Sequence, residues 1–165
     1  MTENEIGLKA ISELLGMNFF IPSYQRGYRW DKQQIDELLD DIYAFAIKEK
    51  DKNKEFYCLQ PIVVKQLKNK EKFINNLEPE QDWYEVIDGQ QRLTTIRIIL
   101  SYLENKGKIN LKDDYGKPNF TIEYQTRPNT KEFLDVISTQ EVDNLDCYFI
   151  KQSHYSVTSW FENTE

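Results

Sequence analysis

One histidine and two cysteines in 165 residues remove several chemistries at once. Cys58 and Cys147 stand alone, forming neither a disulfide framework nor a CxxC pair. A zinc site of the usual nitrogen and sulfur ligands has too few donors to draw on. No apolar run approaches the roughly 18 residues of a membrane span. The N-terminal MTENEIGLKA lacks the charged-then-apolar pattern of a signal peptide. These absences read as a cytoplasmic protein with no membrane partner. A basic excess is missing too: the net charge is −7, so no whole-molecule field concentrates nucleic acid.

What is present is aromatic. Ten Tyr, nine Phe and three Trp, added to the Ile, Leu and Val content, exclude a disordered chain and supply a core for one domain. The cations divide by type. Most lysines sit in "KEKDKNKE", "KQLKNKEK" and "NKGKINLKDDYGK", which read as solvated connections. The arginines are Arg26, Arg29, Arg92, Arg97 and Arg127. Arginine offers a rigid fork suited to phosphate or carboxylate, and its segregation points to a local pocket on an acidic protein.

Hydrophobic periodicity orders the chain. "NEIGLKAISELLGM" suits a short helix ending near Gly16, and "NFFIPSYQRGYRW" is extended around Pro22. Asp31 is placed to cap a helix with Ile35, Leu38, Leu39, Ile42 and Phe45 on one face and acidic residues on the other. "EFYCLQPIVVKQL" reads as a strand, with Pro61 forcing an edge position or a bulge. After a charged link, "DWYEVID" reads as a strand returning antiparallel beside it. "QQRLTTIRIILSYLEN" is apolar almost all round, hence a buried helix. "NFTIEYQT" suits a further strand, and "NTKEFLDVI" and "DNLDCYFIKQSHYSVTSWFEN" suit helices. The pattern is α+β: a core over residues 1–128 and a helical extension over 129–165, with no closing element before the last residue. The chain thus reads as the N-terminal part of a longer protein.

Two stretches carry chemistry. In "EVIDGQQRLTTIRIIL" a strand meets a helix at Asp88, Gly89, Gln90, Gln91 and Arg92. The first amides of a helix lack internal partners, and the dipole places roughly half a positive charge there. A cation such as Arg92 opposes that dipole unless an anion lies between them. A phosphate held by backbone amides and Arg92 accounts for the glycine, the arginine and the glutamines together. The same residues also fit a plain turn, with Asp88 as N-cap, Gly89 as turn glycine and Arg92 paired to a carboxylate. The second stretch, "IPSYQRGYRW", alternates aromatics with Arg26 and Arg29. Such residues stack on bases and pair with phosphates, or cover a core edge with arginine stems.

In this order and spacing, "IPSYQRGYRW" and "VIDGQQRLTT" resemble the N-terminal domain of GmrSD-type restriction enzymes, the DGQQR branch of the ParB/sulfiredoxin-like fold. "FYCLQPIVV" and "YQTRPNTKEFLD" extend the likeness. The resemblance implies a small mixed or antiparallel sheet packed with helices, binding a nucleoside triphosphate in a phage-defence system. It ties Asp88, Gly89, Gln90, Gln91 and Arg92 to nucleotide binding and hydrolysis. Pro22, Tyr24, Gln25, Arg26, Tyr28 and Trp30 are expected to line the same cleft, with Arg127 matching a further arginine.

Within that scheme Asp88, Gln90 and Gln91 are the candidate catalytic groups, and Asp88 the candidate ligand of Mg2+. Gly89, Arg92, Arg26, Gln25 and Arg127 are candidates for phosphate, and Tyr24 or Tyr28 for stacking on a base. Expected partners are a nucleoside triphosphate, modified DNA and a nuclease domain or subunit. Two departures stand out. "LQPIV" replaces a glycine that relatives carry in that strand, and His154 alone cannot supply a histidine-metal nuclease centre. The reactive cysteine that sulfiredoxin places at this turn is Gln90 here, which excludes thiol chemistry there. Two other readings use the same features: a module that senses modified DNA without turnover, and an interaction domain whose acidic helix 32–48 docks a nuclease subunit.

Overall fold

A computed structural model describes residues 6–48, 56–67, 81–125, 130–135, 137 and 145–164. Four strands are described: β1 (Asn18–Ile21), β2 (Val63–Gln66), β3 (Trp83–Asp88) and β4 (Thr121–Tyr124). The helices described are α1 (Lys32–Ile47), α2 (Gln90–Asn105), α3 (Leu111–Tyr115), α4 (Thr130–Asp135) and α5 (Leu145–Thr164). The sheet order is β2-β3-β1-β4. β1 runs parallel to both β3 and β4, while β2 is antiparallel to β3. The α+β expectation holds, and the sheet is mixed. No described helix is long and apolar enough to cross a membrane.

Strand alternation explains which face the helices cover. Phe19 pairs with Tyr84 on one side and Ile122 on the other, and Ile21 pairs with Tyr124. Phe19, Ile21, Val86, Ile122 and Tyr124 join Leu93, Ile96 and Ile98 of α2 and Ile150 and Val157 of α5 in one buried cluster. The opposite face carries a smaller cluster of Phe20, Leu67 and Trp83. Thus α5, in the part of the chain expected to be an extension, packs into the same core as the sheet. The boundary expected after residue 128 lies outside the described residues.

Several local expectations hold. Asp31 caps α1, accepting from the Gln34 amide at 3.3 Å. Ile35, Leu38 and Leu39 are the buried stripe of that helix. β2 lies at the sheet edge with a register shift between Val63 and Val64, and Pro61 stands before its first residue. Others are corrected. The helix expected before Gly16 is a single 3-10 turn, Ile11–Leu14, because the chain reverses at Gly16 with φ +77°. The strand expected over 55–67 begins only at Val63, so Cys58 precedes it rather than lying in it. The segment 105–117, read as a solvated connection, contains α3, capped by Asn110 and ended by left-handed Gly116.

Arg97 shows how a charge is used inside this core. It is 4 % exposed and donates from Nε to the Phe120 carbonyl at 2.7 Å and from Nη2 to Asp135 at 2.6 Å, with Ser101 as a third partner. Burial lowers its pKa and Asp135 opposes the shift. One side chain therefore joins α2, the lead-in to β4, and α4. Arg97→Ala is expected to cost about 2 kcal/mol in urea unfolding, because it strands the Phe120 carbonyl. Asp135→Ala should cost less, since that carboxylate is half exposed.

Glu123 of β4 accepts the Thr130 amide at 2.8 Å. Its carboxyl is pushed up to about 7 by burial, with Glu132 adding to the effect and the Thr130 amide and Lys131 opposing it. The folded chain therefore binds this proton more tightly than the unfolded chain, whose value is 4.5. The resulting stability is fully present below pH 4.5 and is lost as pH rises through about 7. Glu123→Gln keeps the acceptor for Thr130 and removes that loss. Urea midpoints at pH 5 and pH 8 should fall in the native protein and stay closer together in the variant.

Candidate functional site

Both sequence motifs follow the carboxyl ends of adjacent parallel strands. Residues 22–31 leave β1, and the Asp88–Gly89 turn leaves β3. From β1 the sheet grows one way through β3 and the other way through β4. Loops at such a reversal of strand order diverge and leave a crevice for a ligand. The segment carrying Arg127 follows β4, and Arg127 itself lies outside the described residues.

The turn is built around Gly89, at φ +91°. A Cβ there would lie 3.0 Å from Ile62 Cγ1 and 3.2 Å from the Pro61 carbonyl oxygen. The space that the glycine leaves is filled by the lead-in to β2, so the glycine serves the backbone rather than the approach of a ligand. It is also the N-cap residue of α2, which therefore has no capping side chain. Asp88 is not the cap expected of it. It sits at the end of β3, exposed, with Oδ1 accepting the Gly89 amide at 2.9 Å.

Hydrogen bonds lock the two motifs together. Gln91 Nε2 donates to the Gly27 carbonyl at 2.9 Å, and Gln91 Oε1 accepts the Arg29 amide at 2.8 Å. One side-chain amide thus pairs with residues 27 and 29 as a neighbouring strand would. Gln25 Nε2 donates to the Ile87 carbonyl at 2.8 Å, and the Tyr24 hydroxyl donates to Glu85 at 2.8 Å. That bond, ahead of burial and the Glu85 charge, raises the Tyr24 pKa. The Thr95 hydroxyl spends its proton on the Gln91 carbonyl at 2.9 Å. The Tyr28 hydroxyl, 2.8 Å from Thr95 Oγ1, is therefore the donor of that pair.

Tyr28 is fully buried, with its pKa pushed up to about 12 by burial. Its ring is a core element, and the stacking role expected of it is not open to a ring with no exposed face. Tyr24 is 69 % exposed and Arg26 is exposed on the same loop, with no side-chain partner for Arg26 among the described residues. Arg29 turns back, donating to the Tyr28 carbonyl at 2.7 Å and lying 5.1 Å over the Phe149 ring.

Arg92 behaves differently from Arg29 and Arg97. It has no ion pair among the described residues, and its guanidinium lies 5.4 Å over the ring of Trp30. The carboxylate partner that a plain turn would give it is not there. Arg92 and Trp30 open onto a cleft of about 430 Å³. One wall is a stripe of α1: Gln34, Glu37, Leu38 and Asp41. Tyr57, Cys58 and Gln60 also line it. Of the residues expected to act on a ligand, only Arg92 and Trp30 line it. Asp88, Gly89, Gln90, Gln91, Tyr24, Gln25, Arg26 and Tyr28 do not. The α1 stripe escaped the sequence reading because its acids look like a solvated helix face. The spacing 34, 37, 38, 41 is nonetheless the i, i+3, i+4, i+7 signature of a face turned toward something.

The motifs and this fold agree with the sequence comparison. Residues 9–163 match the family described as GmrSD restriction endonuclease, N-terminal domain. The chain belongs to that family. No curated protein matches it in sequence. The GmrSD N-terminal assignment makes the chain a component of a restriction, hence phage-defence, system with a nuclease as its companion. His154 is 9 % exposed against the Tyr102 ring, and burial lowers its pKa. Among the described residues, no group of three or more His, Cys, Asp or Glu is placed to hold a metal ion. A magnesium ion at Asp88 would therefore rely on one carboxylate and on the phosphates of a bound nucleotide, the usual manner of holding that ion.

The clip made by Gln91 yields a direct test. Gln91→Ala should destabilise the fold by about 1–2 kcal/mol. It should also raise the hydrogen-exchange rate of the Arg29 amide far more than that of amides in β1.

Proposed function

We propose that this domain binds a nucleoside triphosphate, with phosphate held at the start of α2, and so regulates or senses for its nuclease partner in the cytoplasm. One observation carries the reading: Arg92, in the first turn of a helix with no capping side chain, is unpaired and faces a cleft. A cation held against a helix dipole with no counter-charge is offset by an anion placed between them. The cleft's volume of about 430 Å³ suits a nucleotide. Resemblance to ParB-like folds, in which this turn holds nucleotide phosphate, supports the same assignment.

Hydrolysis of that nucleotide belongs to the proposal. Gln91 has both ends of its amide committed to the loop, so its part is to hold the site together. Asp88 and Gln90 remain for water, and Mg2+ enters with the nucleotide's phosphates. Arg26 and Arg127, from neighbouring loops, are further phosphate ligands in this reading. A second reading, recognition of modified DNA without turnover, is favoured by the exposure of Tyr24 and Arg26 on one loop. The acidic-helix docking reading has less support. Asp40 accepts the Trp160 indole at 2.7 Å, and Asp36 is engaged by Lys32. Both acids therefore serve the fold.

Calorimetric titration with ATP, GTP, CTP and UTP, with and without magnesium, tests the proposal. Arg92→Ala is expected to weaken binding about 10- to 100-fold, the worth of a charge-assisted contact. Binding that is indifferent to Arg92 overturns the site. If nucleotide is absent from the cleft and modified DNA binds with a steep salt dependence, the second reading replaces the first.

A further inference from the structure

Two helices contribute to the cleft, α1 through its stripe and α2 through Arg92. They share a neighbour. Among the described elements, α5 is the one that α1 packs against most, and α5 packs along α2 as well. Three ties fasten α5 to the loop and to α1. The Phe149 ring lies 5.1 Å under the Arg29 guanidinium, and Ser153 Oγ donates to the Trp30 carbonyl at 3.4 Å. The Trp160 indole donates to Asp40 at 2.7 Å, and its ring meets Tyr43 edge-on at 5.8 Å. Each tie ends on a residue that lines the cleft or stands next to one, since Trp30 and Asp41 are both lining residues. On the α2 side, Tyr102 stacks on Phe161 at 4.9 Å.

We infer that α5 sets the width of the cleft, with Ser153 and Trp160 as positioning residues, and that occupancy of the cleft is transmitted through these ties as a tighter seating of α5. This rests on the nucleotide reading above and adds the element that carries the signal. A ligand that draws α1 toward the first turn of α2 shifts two helices that both rest on α5. Binding and seating then form one equilibrium, and linkage makes the effect reciprocal. Whatever the nucleotide adds to the seating of α5, loosening α5 takes from nucleotide affinity. The ties can be altered without emptying the core, which α5 fills with Ile150 and Val157. Trp160→Phe keeps an aromatic ring for Tyr43 and removes the indole N–H. Ser153→Ala removes a single hydroxyl.

Hydrogen exchange read by mass spectrometry tests this. It compares the native protein alone with the protein saturated by whichever β,γ-imido analogue of ATP, GTP, CTP or UTP binds most tightly. The analogue is expected to slow exchange of α5 amides over residues 149–160 by about fivefold or more, alongside those at the start of α2. The Ser153→Ala, Trp160→Phe double variant should bind the analogue about 3- to 10-fold more weakly. At saturation the analogue should still protect the start of α2 in the variant while leaving α5 exchange unchanged. A role in stability alone would not make α5 protection depend on the ligand. The native protein decides the matter even if the double variant fails to fold. Protection at the start of α2 with none in α5 overturns the inference and leaves the phosphate site standing. Undiminished affinity or undiminished α5 protection in the folded variant overturns it too. Failure of the native protein to bind any analogue removes the nucleotide reading itself, and this inference with it.

Discussion

The Gln91 amide joins parts of the chain more than sixty residues apart: its two ends reach Gly27 and Arg29, while its backbone opens α2. Two of the residues that line the cleft are held next to that bridge. Trp30 is the next residue after Arg29, and Arg92 the next after Gln91, so one side chain sets the spacing of the aromatic ring and the cation above it. Further ties run from Tyr24, Gln25 and Tyr28 to β3 or α2, from the Ser23 amide to Gln125, and from Arg29 and Trp30 to α5. Two motifs distant in sequence are in this sense one structural unit.

The division of labour among the arginines follows from burial. Arg97 is enclosed and satisfied by a carbonyl, a hydroxyl and a carboxylate, which is what an interior guanidinium needs. Arg29 is spent on a carbonyl and an aromatic ring. Arg92 and Arg26 are left facing outward on a protein of net charge −7. A local positive site in a negative surround discriminates by geometry, because long-range attraction of a polyanion is absent.

How far the sequence revealed this can be judged element by element. α1, β3, α2 and β4 were legible, since each carries a clear period and bounded ends. The antiparallel pairing of β2 with β3 followed from their short separation. The early helix did not form because its few apolar residues precede a left-handed glycine, and α3 was hidden by its charge. At the site, the strand-turn-helix and its arginine were readable. The burial of Tyr28 was not, since an aromatic beside arginines looks the same whether it faces in or out. Nor could sequence place Glu37 and Asp41 in one cleft with Arg92, because that depends on tertiary packing.

The contact beneath Gly89 has a consequence for how such a domain can change. A Cβ at residue 89 would lie 3.0 Å from Ile62 Cγ1 and 3.2 Å from the Ile62 α-carbon, so neither position is independent. A substitution that thickens the lead-in to β2 would press on the α-carbon from which α2 starts and shift the first turn, Arg92 included. The edge of the sheet and the first turn of α2 are therefore one mechanical joint. Grafting the segment from a relative would require both halves of that joint to be exchanged together.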